Sequence, residues 1–251
     1  MNTSPYGYRL PIDISTHGYL IDRLINILHV FMVVLFVFWF IFLIYTLIRF
    51  RARPGHQAEY SPKPMKWSTY LEVGIALFEV FLLLVLAIPA WQYAKASVPS
   101  AKNVVNIRVV AEQFAWNIQY PGEDGLFGPT KPDLVTADNT IGIDRSDPAA
   151  KDDIVAINTL HVPVNRPVVI QLSSKDVIHS FFLPVLRVKQ DAIPGMIFPV
   201  WFQATQTGEF EIACAQLCGL GHYRMRGSLT IENDEAFSTW LNEEKKSMEA
   251  F

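Results

Sequence analysis

Residues 214–225 read CAQLCGLGHYRM, and they hold both cysteines of the 251-residue chain. The strand-like stretches GEFEIA at 208–213 and GSLTI at 227–231 flank them, so the stretch reads as one loop between two β-strands. Thiolate, imidazole and thioether form a soft donor set that suits copper better than calcium or magnesium. A mononuclear electron-transfer copper site takes one Cys, two His and a weak axial Met, with the Cys, one His and the Met on such a loop. This loop has one thiolate more. Two thiolates offset by four can each bridge the same two copper ions, and the pair then needs two histidines and two weak outer ligands. His222 and Met225 supply one of each. A disulfide between Cys214 and Cys218 would close a very small ring and constrain the unfolded chain little. Zinc is the structural rival, but it has little use for a thioether and the spacing matches no common finger or ribbon.

The second histidine has to come from elsewhere. His17, His29 and His56 fall in the N-terminal tail, the first apolar run and the segment after it, which leaves His161 and His179. His179 lies in KDVIHSFFLP, where a polar side chain within an apolar strand needs a partner, and this setting favours it. His161, in TLHVPVNRP at a strand end, is the other candidate.

Around the loop, short β-rich stretches recur at 103–110, 153–160, 166–173, 208–214 and 227–233, with Pro, Gly and Asn between them. They predict a Greek-key sandwich or barrel. NDEAFSTWLNEEKKS then places Phe237, Trp240 and Leu241 on one helical face after an Asn-Asp start, which predicts a C-terminal helix. The stretch from Pro121 to Asp153 holds eight acids and three bases. It reads either as a solvated loop or as a docking face for a cationic partner.

Upstream, the composition changes. Between Arg23 and Arg49 lie 25 residues without a charge, and at about 1.5 Å per residue they exceed a hydrocarbon layer of roughly 30 Å. Between Glu72 and Lys95 lie another 22 with Glu79 as the only charge. Two transmembrane helices are therefore expected. The segment joining them carries Arg49, Arg51, Arg53, Lys63 and Lys66, whereas the tail carries Arg9 and Arg23, so both termini are expected on the outer side. No removed signal peptide is expected in the tail. The predicted fold class is thus an α+β membrane protein: an outer tail at 1–23, a transmembrane helical hairpin at 24–94 with a cytoplasmic loop at about 49–70, and an outer β domain with its C-terminal helix at 95–251. From residue 95 onward, 14 Lys and Arg stand against 19 Asp and Glu, a net charge of −5. That balance suits a basic protein, and no nucleic-acid partner is expected.

The two spans, the outer β domain, SSKDVIHSFFLP at 173–184, VKQDAIPG at 188–195 and CAQLCGLGHYRM together resemble subunit II of the haem-copper cytochrome oxidases, over residues from about 20 to 241. The resemblance implies a cupredoxin-like outer domain that carries a dinuclear copper centre, CuA. It assigns Cys214 and Cys218 as bridging ligands, His179 and Met225 to one copper, and His222 with the backbone carbonyl of Gln216 to the other. Electrons would pass from cytochrome c or another c-type haem donor through this centre to subunit I, where oxygen is reduced and protons are translocated. Subunit I, subunit III and membrane lipid are the implied neighbours, in a bacterial inner membrane or its equivalent with the copper domain in the periplasm.

Members of that family commonly carry an acid at position 216 that also helps to bind magnesium at the contact with subunit I. Gln216 keeps the backbone ligand and puts the magnesium in doubt. A Trp commonly stands where Phe114 stands, two residues before Trp116, and serves as the electron entry point; the plain reading of both aromatics is core packing. Phe114, Trp116, Asp176, Glu123 and Asp124 are the expected entry and docking residues. Glu72 aligns with a family glutamate at a proton entrance. Glu79, about two turns farther along, is expected either to be protonated as part of a proton relay or to fix packing against a partner. The absence of CxxCH implies a separate electron donor. Three other readings stay open at the level of sequence: a copper subunit of a nitric oxide reductase, a copper-free quinol oxidase, and a stand-alone copper-binding or delivery protein.

Overall fold

The computed structural model describes residues 11–55, 57, 66–96 and 103–249. The first ten residues, His56 and residues 58–65, which include Lys63 of the expected cytoplasmic loop, lie outside them. The described chain forms two compact units, one of Leu20–Tyr93 and one that joins the N-terminal residues through Tyr19 to Ala94–Phe251.

The helical unit consists of α1 (Gly18–Arg49) and α2 (Lys66–Phe81). Helix α2 continues through a π-helical turn at Leu82–Ala87, a short α segment at Ile88–Trp91 and a second π-helical turn at Gln92–Ala96. Both helices are long and apolar enough to cross a membrane. Their Leu, Val, Ile, Phe and Trp side chains are mostly exposed, a surface that is stable against lipid and unstable against water. Phe31 meets Phe78 at 4.8 Å between ring centroids, joining the two helices.

The other unit is a β-sandwich. One sheet has the order β3-β2-β1-β5-β8, from β1 (Val105–Glu112), β2 (Ala115–Tyr120), β3 (Ile154–Ile157), β5 (Pro167–Ser174) and β8 (Phe198–Gln203). The other has the order β4-β10-β9-β6-β7, from β4 (Thr159–Pro163), β6 (His179–Leu183), β7 (Val188–Ala192), β9 (Gly208–Cys214) and β10 (Arg226–Glu232). Within both sheets most neighbours run antiparallel, while β1 with β5 and β4 with β10 run parallel. Alternating residues such as Ile107, Val109 and Ala111 on β1 and Val168, Ile170 and Leu172 on β5 point inward, with Trp116, Phe181 and Phe202 as the largest fully buried rings.

Two boundaries differ from the sequence expectation. The single strand expected at 153–160 is two strands, because Asn158 takes a left-handed backbone (φ 61°) and the chain changes sheets there. Asn tolerates that conformation, and it is held: the Asn158 side chain accepts from Trp116 N–H, and its own N–H donates to the Trp116 carbonyl, both at 2.8 Å. The tail differs as well. Ile14 is fully buried, Thr16 N–H donates to the Gln203 carbonyl and Thr205 N–H to the Ile14 carbonyl, so residues 14–16 extend the β8 edge. The tail is therefore part of the sandwich unit, and α1 starts at Gly18, six residues earlier than the uncharged run suggested.

The C-terminal helix, Asp234–Glu249, is capped by Asn233, whose side chain accepts from Ala236 N–H. Its Trp240 stacks flat on His161, 4.1 Å between centroids and 3° between planes.

Candidate metal centre

Strands β9 and β10 pair from Ala213 opposite Arg226, and Cys214 N–H donates to the Met225 carbonyl, so the base of the 214–225 loop is closed by the sheet ladder. At the loop's other side, Ala215 N–H donates to the Ser180 carbonyl of β6. This places the loop beside His179, the first residue of β6. The loop ends in a 3₁₀ turn over His222–Arg224 that brings His222 and Met225 back toward the cysteines.

The side chains converge on one point. Cys218 Sγ lies 3.8 Å from Cys214 Sγ, 3.6 Å from His222 Nδ1 and 3.7 Å from Met225 Sδ. His179 Nδ1 lies 3.1 Å from Met225 Sδ, and the Gln216 carbonyl lies 3.2 Å from Cys214 Sγ. The ligand atoms of His179, Cys214 and Cys218 all lie within 4.8 Å of one another. All six residues that the family resemblance assigns thus meet in one cluster. His179, Cys218 and Met225 are buried, whereas the Gln216 side chain is exposed and only its carbonyl faces the sulfurs.

The electrostatics of this cluster suits a cation. Both cysteines are free. Burial, followed by the charge of Cys214, pushes the Cys218 thiol up to about 11, so two adjacent thiolates need positive charge to form. His179 has its Nε2 2.9 Å from Asp176 Oδ1. A carboxylate there accepts a hydrogen bond from Nε2–H and leaves the Nδ1 lone pair aimed at the sulfurs, the orienting device common behind metal-bound histidines. Burial opposes ionisation of Asp176. The hydrogen bonds from His179, Gln113 N–H and Val177 N–H outweigh it and hold the carboxyl below its usual range. Asp176 is therefore spent on His179, a role its expected place on a docking surface did not include; the signal was its position three residues before the histidine.

The other expected residues are scattered. His161 is held by Glu232 at 2.8 Å and by Trp240, and serves the C-terminal helix. Trp116 is fully buried and meets His179 and Phe181 edge-on, at 6.2 and 5.3 Å, so it presents no surface to a partner. Phe114 is half-buried beside the loop, against Gly219 and Gly221. Glu123 and Asp124 follow the end of β2, at the pole where β1 starts, whereas the metal cluster lies where β1 ends. Eight residues of strand separate the two poles by roughly 23 Å. Glu123 is paired there with Lys245 at 3.0 Å. On α2, Glu72 accepts from Ser68 one turn earlier at 2.8 Å, and both Glu72 and Glu79 are exposed.

Residues 105–232 match the family model of the cytochrome c oxidase subunit II periplasmic domain. The chain belongs to the cytochrome c oxidase subunit II family. It is 34% identical over 235 residues to the alternative cytochrome c oxidase subunit 2 of Bradyrhizobium diazoefficiens, covering 92% of this chain and 83% of that one. It is 29% identical over 223 residues to cytochrome c oxidase subunit 2 of Cereibacter sphaeroides, covering 82% and 70%. Among solved structures, the periplasmic domain of subunit II of cytochrome oxidase (CoxB) of Bradyrhizobium japonicum aligns with 60% of this chain and 98% of its own length, at 32% identity and a TM-score of 0.44. As a subunit II, the chain combines two apolar helices with a cupredoxin-like β-sandwich. Copper is the metal the family implies, and the donors present fit it: two sulfurs and two imidazoles converge with a buried thioether, which zinc would leave idle.

Proposed function

We propose that this subunit II is the electron-entry subunit of a respiratory cytochrome c oxidase. It would receive electrons from cytochrome c or another c-type haem donor and pass them through a dinuclear CuA centre to subunit I, for reduction of oxygen coupled to proton translocation. The observation that carries the reading is the convergence of Cys214, Cys218, His222, Met225 and the Asp176-oriented His179 on one point. Cys214, Cys218, His179, His222, Met225 and the Gln216 carbonyl would hold the copper. A copper pair bound there supplies one-electron transfer, with the charge change shared over two ions and two sulfurs. The protein's part is to keep that geometry fixed: the loop base is closed by the β9–β10 ladder, and His179 is held from behind by Asp176, so little has to move when an electron arrives.

Electron entry is proposed beside Phe114, the half-buried aromatic against the metal loop, with Trp116 as a buried ring edge-on to His179. Subunit I and subunit III are the proposed membrane partners, with lipid covering the remaining apolar surface of the helices. The positively charged segment between the helices supports a cytoplasmic loop, and the pairing of residues 14–16 with β8 supports an outer position for the tail that precedes α1. Glu72 and Glu79 are proposed to serve proton entry or contact with subunit I. The neutral, exposed Gln216 side chain gives no support to a magnesium ion.

The test is paramagnetic resonance of the full chain loaded with copper. Hyperfine splitting from two equivalent copper nuclei sharing one unpaired electron is expected; a mononuclear spectrum overturns the reading. Assays of the intact complex with oxygen and with nitric oxide then identify the acceptor.

A further inference from the structure

The turn between β1 and β2 supplies no metal ligand, yet it touches both halves of the cluster. Its first residue, Gln113, is exposed and makes two hydrogen bonds in different directions. Its backbone N–H donates to Asp176 Oδ2 at 2.6 Å, while the other oxygen of that carboxylate faces His179 Nε2 at 2.9 Å. Its side-chain amide Nε2 donates to the Cys218 carbonyl at 2.7 Å. One residue therefore ties the carboxylate behind His179 to the peptide that carries the Cys218 sulfur, although the three lie at 113, 176 and 218 in the chain.

The next residue closes the same contact from beneath. A Cβ at Gly221 would lie 2.4 Å from the Phe114 ring, and one at Gly219 would lie 2.7 Å from Gln113 Nε2 and 3.2 Å from the ring. Gly219 also takes a positive φ of 133°, which side chains rarely adopt. The two glycines of CGLGH are thus required by the Gln113–Phe114 turn, which lies flat against the loop.

We infer that Gln113 is a positioning residue of the metal centre: its amide holds the Cys218 carbonyl, and through it the Cys218 sulfur, in register with the histidine that its backbone fixes through Asp176. The inference rests on the reading of the cluster as a copper pair for its electronic consequence, and on geometry alone for its structural one. Loss of the amide frees the loop at Cys218 while leaving all six donor residues in place. The sulfur then samples a wider range of distances from Met225 and His222.

The experiment uses the full chain in detergent, with Gln113→Ala, Gln113→Glu and, as a packing control, Phe114→Leu. Glu keeps the length but sets a carboxylate oxygen against the Cys218 carbonyl. In the reduced, copper-free protein, alkylation of each cysteine is followed by mass spectrometry. Cys218, 5% exposed, is expected to label slowly in the parent, and about five- to tenfold faster in both Gln113 variants, the equilibrium effect of one lost hydrogen bond. Phe114→Leu is expected to change the rate less. Unchanged Cys218 labelling in Ala and Glu variants that unfold as cooperatively as the parent overturns the inference.

The copper-loaded protein gives the second readout. A two-copper spectrum with altered hyperfine splitting and a shifted reduction potential is expected for Gln113→Ala. Faster labelling with an unchanged spectrum and potential would reduce Gln113 to loop stability and overturn the positioning role. A parent protein that shows no two-copper spectrum defeats the copper reading by itself, and the copper-free labelling still decides the clamp.

Discussion

His179 illustrates how a single side chain acquires a function from its surroundings. Its imidazole is fully buried, with one nitrogen facing a carboxylate and the other facing a thioether. The carboxylate decides which nitrogen carries the proton. Replacement Asp176→Asn offers the imidazole an amide in place of a charged acceptor, so the Nε2–H tautomer loses its strongest support. Metal affinity is expected to fall about ten- to a hundredfold with the two-copper spectrum still formed at saturating metal, as measured by competitive copper titration. An unchanged affinity would show that the Asp176–His179 contact is incidental. At this scale the sequence was informative about ligand type, since CAQLCGLGHYRM carries its chemistry in order, but not about orientation. Nothing in the sequence brings Gln113 to Cys218, because the contact exists only once β1 and β9 lie in packed sheets.

Among the elements, the strand break at Asn158 carries much of the sandwich's topology. Asn158 turns the chain from β3 in one sheet to β4 in the other, and it accepts from Trp116, whose ring abuts His179. Asn158→Ala would lose the side-chain bond to Trp116 N–H and place a less tolerant residue at positive φ. The expected cost is about 2 kcal/mol, read from chemical denaturation. A cost near zero would mean the switch is set by its neighbours. The single strand expected at 153–160 failed here for a physical reason: alternation continues through the break, and one left-handed residue leaves almost no mark on composition.

The acidic insertion is a second element whose charge was legible but whose use was not. Asp153 is buried at its end, where Oδ2 accepts from Gln119 Nε2 at 2.5 Å and from Gly128 N–H at 2.8 Å while Oδ1 has no hydrogen-bond partner. Burial raises the Asp153 carboxyl above its ordinary 3.8, against those hydrogen bonds and the charges of Arg145 and Arg108. An acid whose folded value is raised favours the folded state while protonated, and that contribution is lost as pH rises from about 3.8 through the higher folded value. Asp153→Asn is neutral throughout, so the change in unfolding midpoint between pH 4 and pH 7 is expected to shrink. A profile as steep as the parent's would remove Asp153 from the acid response.

For the whole molecule, the main departure from a linear reading is that residues far apart in sequence share one core. Ile14 is fully buried in the sandwich unit, its N–H donates to the Val185 carbonyl, and the edge strand β8 is extended by Ser15 and its neighbours. Ile14→Ala is expected to destabilise the β domain by about 2–4 kcal/mol, although both apolar helices intervene in the chain. Thermal unfolding followed by the near-ultraviolet signal of the buried tryptophans checks it. A midpoint equal to the parent's would return the tail to the status of a loose extension.

The sequence by itself determined the two apolar helices, the β-rich domain and the soft side chains of the 214–225 loop. Each of these follows from local information: uncharged length, alternation, and soft ligands spaced along one loop. Only the tertiary structure decided that Asp176 serves His179, that His161 serves the C-terminal helix, that Trp116 is enclosed, that Glu123 and Asp124 lie at the far pole, and that Gln113 grips Cys218. The physical reason is the same in each case. A side chain's type is written at its own position, whereas its partner is set by strand register and sheet packing, which bring together residues tens to hundreds of positions apart.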